Sequence, residues 1–168
     1  QRFNKRFGET FVVPKPQIRK TGARIMALDS PENKMSKSAE SAKSYISLMD
    51  DEKTVLKKIK SAVTDSEGTI KFSPERPAVA NLITIYSLVT GKTTIEIESD
   101  YEGKGYGDFK VDLAAHITSY LTPLQDKISA YMAEPDKLKA VLEQGAEKAS
   151  KLAEAKMKDV RQKIGVTL

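Results

Sequence analysis

The chain has 168 residues, about the size of one ordinary domain or of a small domain with a piece of another. Its 30% charged and 39% hydrophobic residues suit a soluble globular protein; with no cysteine and one histidine, His116, it cannot by itself build a disulfide, a thiolate or His-cluster metal site, or a serine triad. The formal charge of +5 sits at one end, since residues 1–38 hold nine Lys or Arg against three acids, whereas residues 39–168 hold nineteen against twenty. Such a cluster attracts the phosphate of a nucleotide or a nucleic acid, and it serves equally as an ordinary lysine-rich surface. No apolar run approaches the roughly 18 residues of a membrane-spanning helix, and residues 1–11 lack the apolar core of a signal peptide. A start at Gln1 rather than Met suggests a fragment.

Residues 1–44 read as irregular, with short apolar strands at 10–13 and 25–28. Pro14 and Pro16 hold their neighbours extended. The run Met26, Ala27, Leu28 predicts a buried strand of an α/β sheet, followed by a polar loop rich in Ser and Lys. A helix is expected from Asp50, Asp51 and Glu52, whose charge suits its N-terminus, to Lys57, Lys58 and Lys60 at its C-terminus. Its buried stripe would be Val55, Ile59 and Val63. After a turn at 65–68, Pro77 begins a second helix carrying Leu82, Ile83, Ile85, Tyr86 and Val89, closed by Gly91. A shorter element spans 94–101.

Beyond the glycine-dense residues 102–108, Phe109, Leu113, Ile117, Tyr120, Leu121, Leu124, Ile128 and Tyr131 step by three or four and predict one long helix bent at Pro123. Past Pro135 a final helix carries Leu138, Val141, Leu142, Leu152, Val160 and Ile164, with Gly145, Ala146, Ala149 and Ala153 as a face that another helix could approach closely. The strand-like pieces are too few to build a sheet buried on both faces. The expected fold class is therefore mainly α, a helical bundle attached to the C-terminal edge of a truncated α/β domain.

The sharpest chemical signal is Lys34-Met35-Ser36-Lys37-Ser38. Two lysines three apart in a loop can close over a polyphosphate, because each ammonium is a compact charge with three donors, suited to the charge that migrates onto a leaving pyrophosphate. The serines and backbone amides add uncharged donors. The bare string would also serve as a solvated turn. Other signals are weaker: Gly103-Lys104-Gly105-Tyr106-Gly107 reads as a sharp turn rather than a phosphate cradle, His116 as structural or surface, with no partner His or acid at ligand spacing, and Asp50-Asp51-Glu52 as helix-dipole charge rather than a metal site.

KMSKS is the second signature of the class I aminoacyl-tRNA synthetases. With RFNKRFGETFVVP upstream, and SAVTDSEGTIKF and YEGKGYGDFK downstream, the chain resembles the C-terminal half of the bacterial tryptophanyl-tRNA synthetases over nearly its whole length. The resemblance implies a two-step reaction. Tryptophan attacks the α-phosphate of ATP, with Mg²⁺ assisting, to give the adenylate and pyrophosphate, and the tryptophanyl group then passes to the 3′-terminal ribose of tRNA-Trp. It implies that Lys34 and Lys37 hold the β- and γ-phosphates and are catalytic, that Met35 packs by the adenine, that Ile25 meets adenine through its backbone, and that Ser36 and Ser38 support loop and phosphates. No metal ligand is implied in this chain.

The same resemblance implies three regions: residues 1–49 as the edge of a Rossmann-like catalytic domain, 50–133 as an anticodon-binding helical domain, and 134–168 as a helix returning towards the catalytic domain. It further implies a cytoplasmic enzyme, a homodimer when complete, with no membrane partner. Where the family usually continues KMSKS with Asp-Pro-Asn, this chain has Ala39-Glu40-Ser41. The His-x-Gly-His-type signature, the tryptophan-recognising acid and the ribose-contacting loop are expected before Gln1, so the 168 residues alone are expected to make no adenylate. The alternative is a stand-alone tRNA- or protein-binding helical module with a vestigial nucleotide loop.

Overall fold

A computed structural model describes residues 1–19 and 21–166. Among them are six helices: α1 (Arg2–Phe7), α2 (Glu52–Ser61), α3 (Pro77–Thr90), α4 (Thr94–Asp100), α5 (Tyr106–Ala133) and α6 (Pro135–Ile164). The protein is mainly helical, as its periodicity predicts. The strands expected at 10–13 and 25–28 do not form, and among the described residues the only β pairing is a single antiparallel bridge between Met26 and Lys34. A strand exists through its ladder with neighbours, and no other described segment lies alongside to supply one. The chain divides into two compact units, Ile18–Lys127 and Gln1–Gln17 with Ile128–Leu168.

In the Ile18–Lys127 unit, terminal residues satisfy otherwise orphaned backbone groups at the starts of α2 and α4 and at the end of α3. Asp51 caps α2 by accepting the Thr54 N–H at 2.8 Å. Val55 and Ile59 of α2 are completely buried, but the helix stops at Ser61, so Val63 falls outside the expected stripe and is 42% exposed. Pro77 opens α3 and Gly91 closes it at φ 78, a left-handed conformation that costs glycine no Cβ clash. Thr93 and Glu96 form a reciprocal capping box at the start of α4.

Helix α3 buries Val79, Leu82, Ile83, Ile85 and Tyr86, and α5 buries Phe109, Leu113, Ile117 and Leu121. The outer positions of the expected α5 stripe, Tyr120, Leu124 and Tyr131, remain substantially exposed. Tyr86 stacks on Phe109 with centroids 5.7 Å apart, and Tyr101 meets both rings edge-on. Each such aromatic contributes about 1.5–3 kcal/mol by leaving water. The tyrosine hydroxyls, which cannot be buried without partners, both donate to Asp112. Asp112 in turn lies 3.7 Å from His116 one turn along α5. The sequence reading of His116 as lacking an acidic partner is thereby corrected, since Asp112 stands at i−4.

The other unit holds α1, a helix within residues 1–44, where the sequence predicts irregular structure. Phe3 and Phe7, one turn apart, have centroids 4.8 Å from each other, and Phe11 folds back to 5.0 Å from Phe3. Asn4 fixes that return by accepting the Phe11 N–H at 2.9 Å and donating to the Phe11 carbonyl at 2.6 Å. The far end of α6 closes on the same segment: Lys156 Nζ donates to the Thr10 carbonyl at 2.7 Å, Lys163 Nζ donates to the Glu9 carbonyl at 2.6 Å, and Val160 is buried. The small face at Gly145, Ala146, Ala149 and Ala153 is exposed, and a Cβ added at Gly145 would meet nothing within 4 Å, so the close helix approach expected there is not made by the described residues.

Candidate functional site

The site is built on residues 25–28, an extended segment at the edge of the helical core. Ala27 and Leu28 are buried, while Ile25 and Met35 are half-buried against the same cluster. Two bonds fold residues 29–33 into a tight return, from the Met35 N–H to the Ile25 carbonyl at 2.9 Å and from the Ala27 N–H to the Asn33 carbonyl at 2.8 Å. Within the return, Asn33 N–H donates to the Ser30 carbonyl at 2.9 Å and the Ser30 hydroxyl donates to Glu32, holding that carboxyl below its ordinary pKa.

The helices grip this segment from behind. Asn81 on α3 accepts the Met26 N–H and donates to the Met26 carbonyl, both at 2.9 Å. Leu28 donates its N–H to the Ser44 carbonyl at 2.9 Å and accepts the Val63 N–H at 2.8 Å. Ser44 is tied to Asp29 through its hydroxyl at 2.7 Å. Gly22, at φ 69, lets the approaching chain lie against α3, where an added Cβ would be 2.5 Å from Leu88 Cδ1.

The signature loop projects from this anchored base. Lys34 stands at the bridge; beyond it, the Ser38 N–H donates to Ser36 Oγ and the Ala39 N–H to the Ser36 carbonyl, each at 3.2 Å, so residues 36–39 form a turn. Lys34, Ser36, Lys37 and Ser38 are exposed, and neither lysine forms an ion pair among the described residues. The structure thus brings all six sequence-predicted site residues together: Ile25 is hydrogen-bonded to Met35, and Lys34, Met35, Ser36, Lys37 and Ser38 follow consecutively. Two ammonium groups, two hydroxyls and a turn are a donor set for a polyanion. Among the described residues no group of three His, Asp or Glu could hold a metal ion.

Further polar groups stabilise the bundle behind the loop. Lys58 Nζ lies 2.6 Å from Asp50 and 5.0 Å from the Tyr45 ring centroid. Lys110, buried on α5, donates to the Ala62 carbonyl at 2.7 Å just past the end of α2, where the helix dipole favours a cation. Burial pulls its pKa down. Arg76 donates from Nε and Nη2 to Asp65 at 2.7 and 3.0 Å, and Tyr106 donates its hydroxyl to the same carboxylate. The glycine-rich segment is a turn into α5, with Gly103 at φ 73 and the Lys104 N–H on the Tyr101 carbonyl at 3.0 Å. Sequence reasoning missed Asn81 and Lys110. The signal for Asn81 was a lone amide in the otherwise apolar stretch Val79-Ala80-Asn81-Leu82-Ile83.

An anchored extended segment that carries an exposed Lys-x-x-Lys turn against a helical bundle defines a class of protein. The model described as tRNA synthetases class I (W and Y) matches residues 1–122, and the chain belongs to that family. Within it, the chain is 51% identical to the tryptophan–tRNA ligase of Bacillus anthracis, over 99% of this chain and 51% of that protein. It is 46% identical to the tryptophan–tRNA ligase of Halalkalibacterium halodurans, over 99% of this chain and 50% of that one. The chain therefore spans about half the length of the curated relatives it matches. The crystal structure of tryptophanyl-tRNA synthetase from Mycoplasma pneumoniae matches 99% of this chain, and 50% of its own, with a TM-score of 0.90 at 27% identity. That of the Campylobacter jejuni enzyme, complexed with ADP and tryptophan, matches 96% of this chain and 50% of its own with a TM-score of 0.67 at 32% identity.

Proposed function

We propose that this chain is the C-terminal half of a bacterial tryptophan–tRNA ligase and supplies its ATP-phosphate loop and its tRNA-facing helices. The observation that carries the reading is the Lys34–Lys37 turn, exposed yet rooted in the core through Met26, Leu28 and Met35. A loop that must close over a triphosphate needs mobile charges on a fixed base, and the anchored segment provides that base. The free-standing binding module is not favoured, because the near-complete match is to ligases.

In this reading Lys34 and Lys37 bind the β- and γ-phosphates. As tryptophan attacks the α-phosphorus, the bond to the bridging oxygen breaks and negative charge moves onto the departing pyrophosphate, where the two ammonium groups stabilise it. Ser36 and Ser38 shape the turn and donate to phosphate, Met35 packs by the adenine, and Ile25 offers its backbone to the adenine edge. The loop's donor set fits the phosphates, not a metal, so Mg²⁺ belongs with ATP and would supply charge neutralisation there. The ADP and tryptophan held by the Campylobacter jejuni relative support both substrates.

The regions follow the same reading: 1–49 completes the Rossmann-like catalytic domain, 50–133 meets the anticodon of tRNA-Trp, and 134–168 returns to the catalytic domain. The docking of Lys156 and Lys163 on Glu9 and Thr10 supports that last assignment. The complete enzyme acts as a homodimer in the cytoplasm. No helix among the described residues is long and apolar enough to cross a membrane.

Tryptophan-dependent ATP–pyrophosphate exchange tests the proposal. The complete ligase should catalyse it and the 168-residue chain alone should not. In the complete ligase, Lys37→Ala should lower kcat by about 10²-fold or more while tryptophan affinity changes little. Equal losses in kcat and tryptophan affinity would place Lys37 outside the transition state, and exchange by the isolated chain would refute the division of the active site.

A further inference from the structure

We propose that Asn81 is a positioning residue for the signature loop, its side-chain amide standing in for a neighbouring strand and fixing the backbone from which Lys34 and Lys37 project. The proposal rests on the loop's assignment as the ATP-phosphate loop. Its starting point is the geometry of the Met26–Lys34 bridge. The two bonds that make it run from Met35 to Ile25 and from Ala27 to Asn33, so Met26 itself exchanges none with Lys34. In an antiparallel pair of this kind the backbone N–H and C=O of the central residue face the opposite edge, where the next strand would lie. Here that edge is closed by Asn81, which accepts the Met26 N–H and donates to the Met26 carbonyl, each at 2.9 Å.

The chemical demand is specific. The two groups of Met26 require an acceptor and a donor side by side, in one plane, at the reach of a short side chain, and a primary amide has that pattern. Asn81 is 6% exposed on α3, among Val79, Leu82 and Ile83, where a leucine would bury more apolar surface and favour the helix more. An amide at such a position is justified by the partner it satisfies, and here both of its bonds go to one residue 55 positions earlier. Leu28, two residues on, is held by Ser44 and Val63, but those bonds do not reach the outward-facing N–H and C=O of Met26. Without Asn81 the base of the loop would have one edge open, and the two bridge bonds alone would have to hold the backbone from which Lys34 and Lys37 project.

The test uses the complete ligase with Asn81→Leu, which keeps the branch at Cγ but replaces the amide by methyl groups and removes both bonds, and Asn81→Asp, which keeps the shape but sets an acceptor against the Met26 carbonyl. Hydrogen exchange should show the amides of Ala27 and Met35 opening at least tenfold faster in both variants, although neither amide touches Asn81, with Leu82 and Ile85 on α3 within about twofold of wild type. In ATP–pyrophosphate exchange, kcat should fall at least tenfold while the KM for tryptophan stays within about twofold. A purely structural asparagine would instead accelerate exchange across α3 and change kcat and the KM for tryptophan together, which would overturn the proposal. So would wild-type protection of Ala27 and Met35, or a retained kcat, in either variant; Asn81→Asp carries the test should Asn81→Leu fail to fold. If the wild-type ligase shows no exchange activity, the functional reading fails, and the amide rates still decide whether Asn81 holds the loop.

Discussion

Replacing Asp65 by Asn removes the charge on which the best-connected polar group of the Ile18–Lys127 unit depends. Arg76 is 8% exposed at its side chain and pairs with Asp65, which is 28% exposed, through two bonds at 2.7 and 3.0 Å. Its remaining partners are the Thr69 carbonyl at 2.8 Å and hydroxyl at 3.3 Å, the Tyr106 hydroxyl at 2.7 Å and the exposed Glu67 carboxylate at 3.3 Å. Breaking a fully buried pair costs about 3–5 kcal/mol. The partial exposure of Asp65, the surviving Glu67 and the one acceptor oxygen that asparagine keeps reduce this to about 2 kcal/mol. For a unit of this size that is a Tm lower by about 8 °C.

The pH dependence gives an independent check. The Arg76 guanidinium, helped by the Tyr106 hydroxyl and the Glu67 N–H, holds the Asp65 carboxyl well below the usual carboxylate range, against the opposing effect of burial. A depressed folded pKa means that the unfolded chain takes up the proton first. The stabilisation is therefore complete above about pH 5 and is lost as pH falls through the unfolded value near 3.9 towards the folded one. Urea unfolding followed by far-UV circular dichroism should show Asp65→Asn less stable by about 2 kcal/mol at pH 7, with the gap narrowed by about 1 kcal/mol at pH 3. A gap below about 0.5 kcal/mol at pH 7, or one unchanged at pH 3, would refute the reasoning.

Three smaller perturbations read other parts of the fold. Lys110→Met leaves the Ala62 carbonyl unpaired but relieves a desolvated charge, so the net loss should be only about 1 kcal/mol at pH 7. Because burial lowers the folded pKa of Lys110, wild type should gain stability on the variant as pH rises towards about 10, and a flat difference would rule out a buried ammonium. Thr93→Ala removes the cap of α4 and should cost about 1 kcal/mol in urea unfolding, with Thr93→Ser close to wild type. Gly22→Ala imposes a left-handed alanine and a 2.5 Å approach to Leu88 Cδ1, together about 2 kcal/mol; a second change, Leu88→Ala, should remove the steric part and leave about 1 kcal/mol for φ 69.

The helices were legible because their signals are local. Asp51, Pro77, Gly91, Thr93 and Pro135 lie at the helix boundaries, and the repeat of Val55 with Ile59, or of Phe109, Leu113 and Ile117, marks the buried faces. The Lys34–Ser38 turn was legible for a similar reason, since its charged and hydroxyl groups stand on five consecutive residues. The failures lay where a segment depends on distant partners. Residues 25–28 have the composition of a strand, but a ladder requires neighbours, and Asn81 from a helix closes the edge instead. Helix α1 depends on Phe3 and Phe7 finding Phe11 across a turn fixed by Asn4. Val63 leaves the apolar stripe because its N–H is drawn to the Leu28 carbonyl, 35 residues earlier. Caps and periodicity act over one or two turns and are written in adjacent residues. The grip of Asn81 on Met26 and of Lys110 on the end of α2 comes into being only when the folded core brings separate helices within hydrogen-bonding distance.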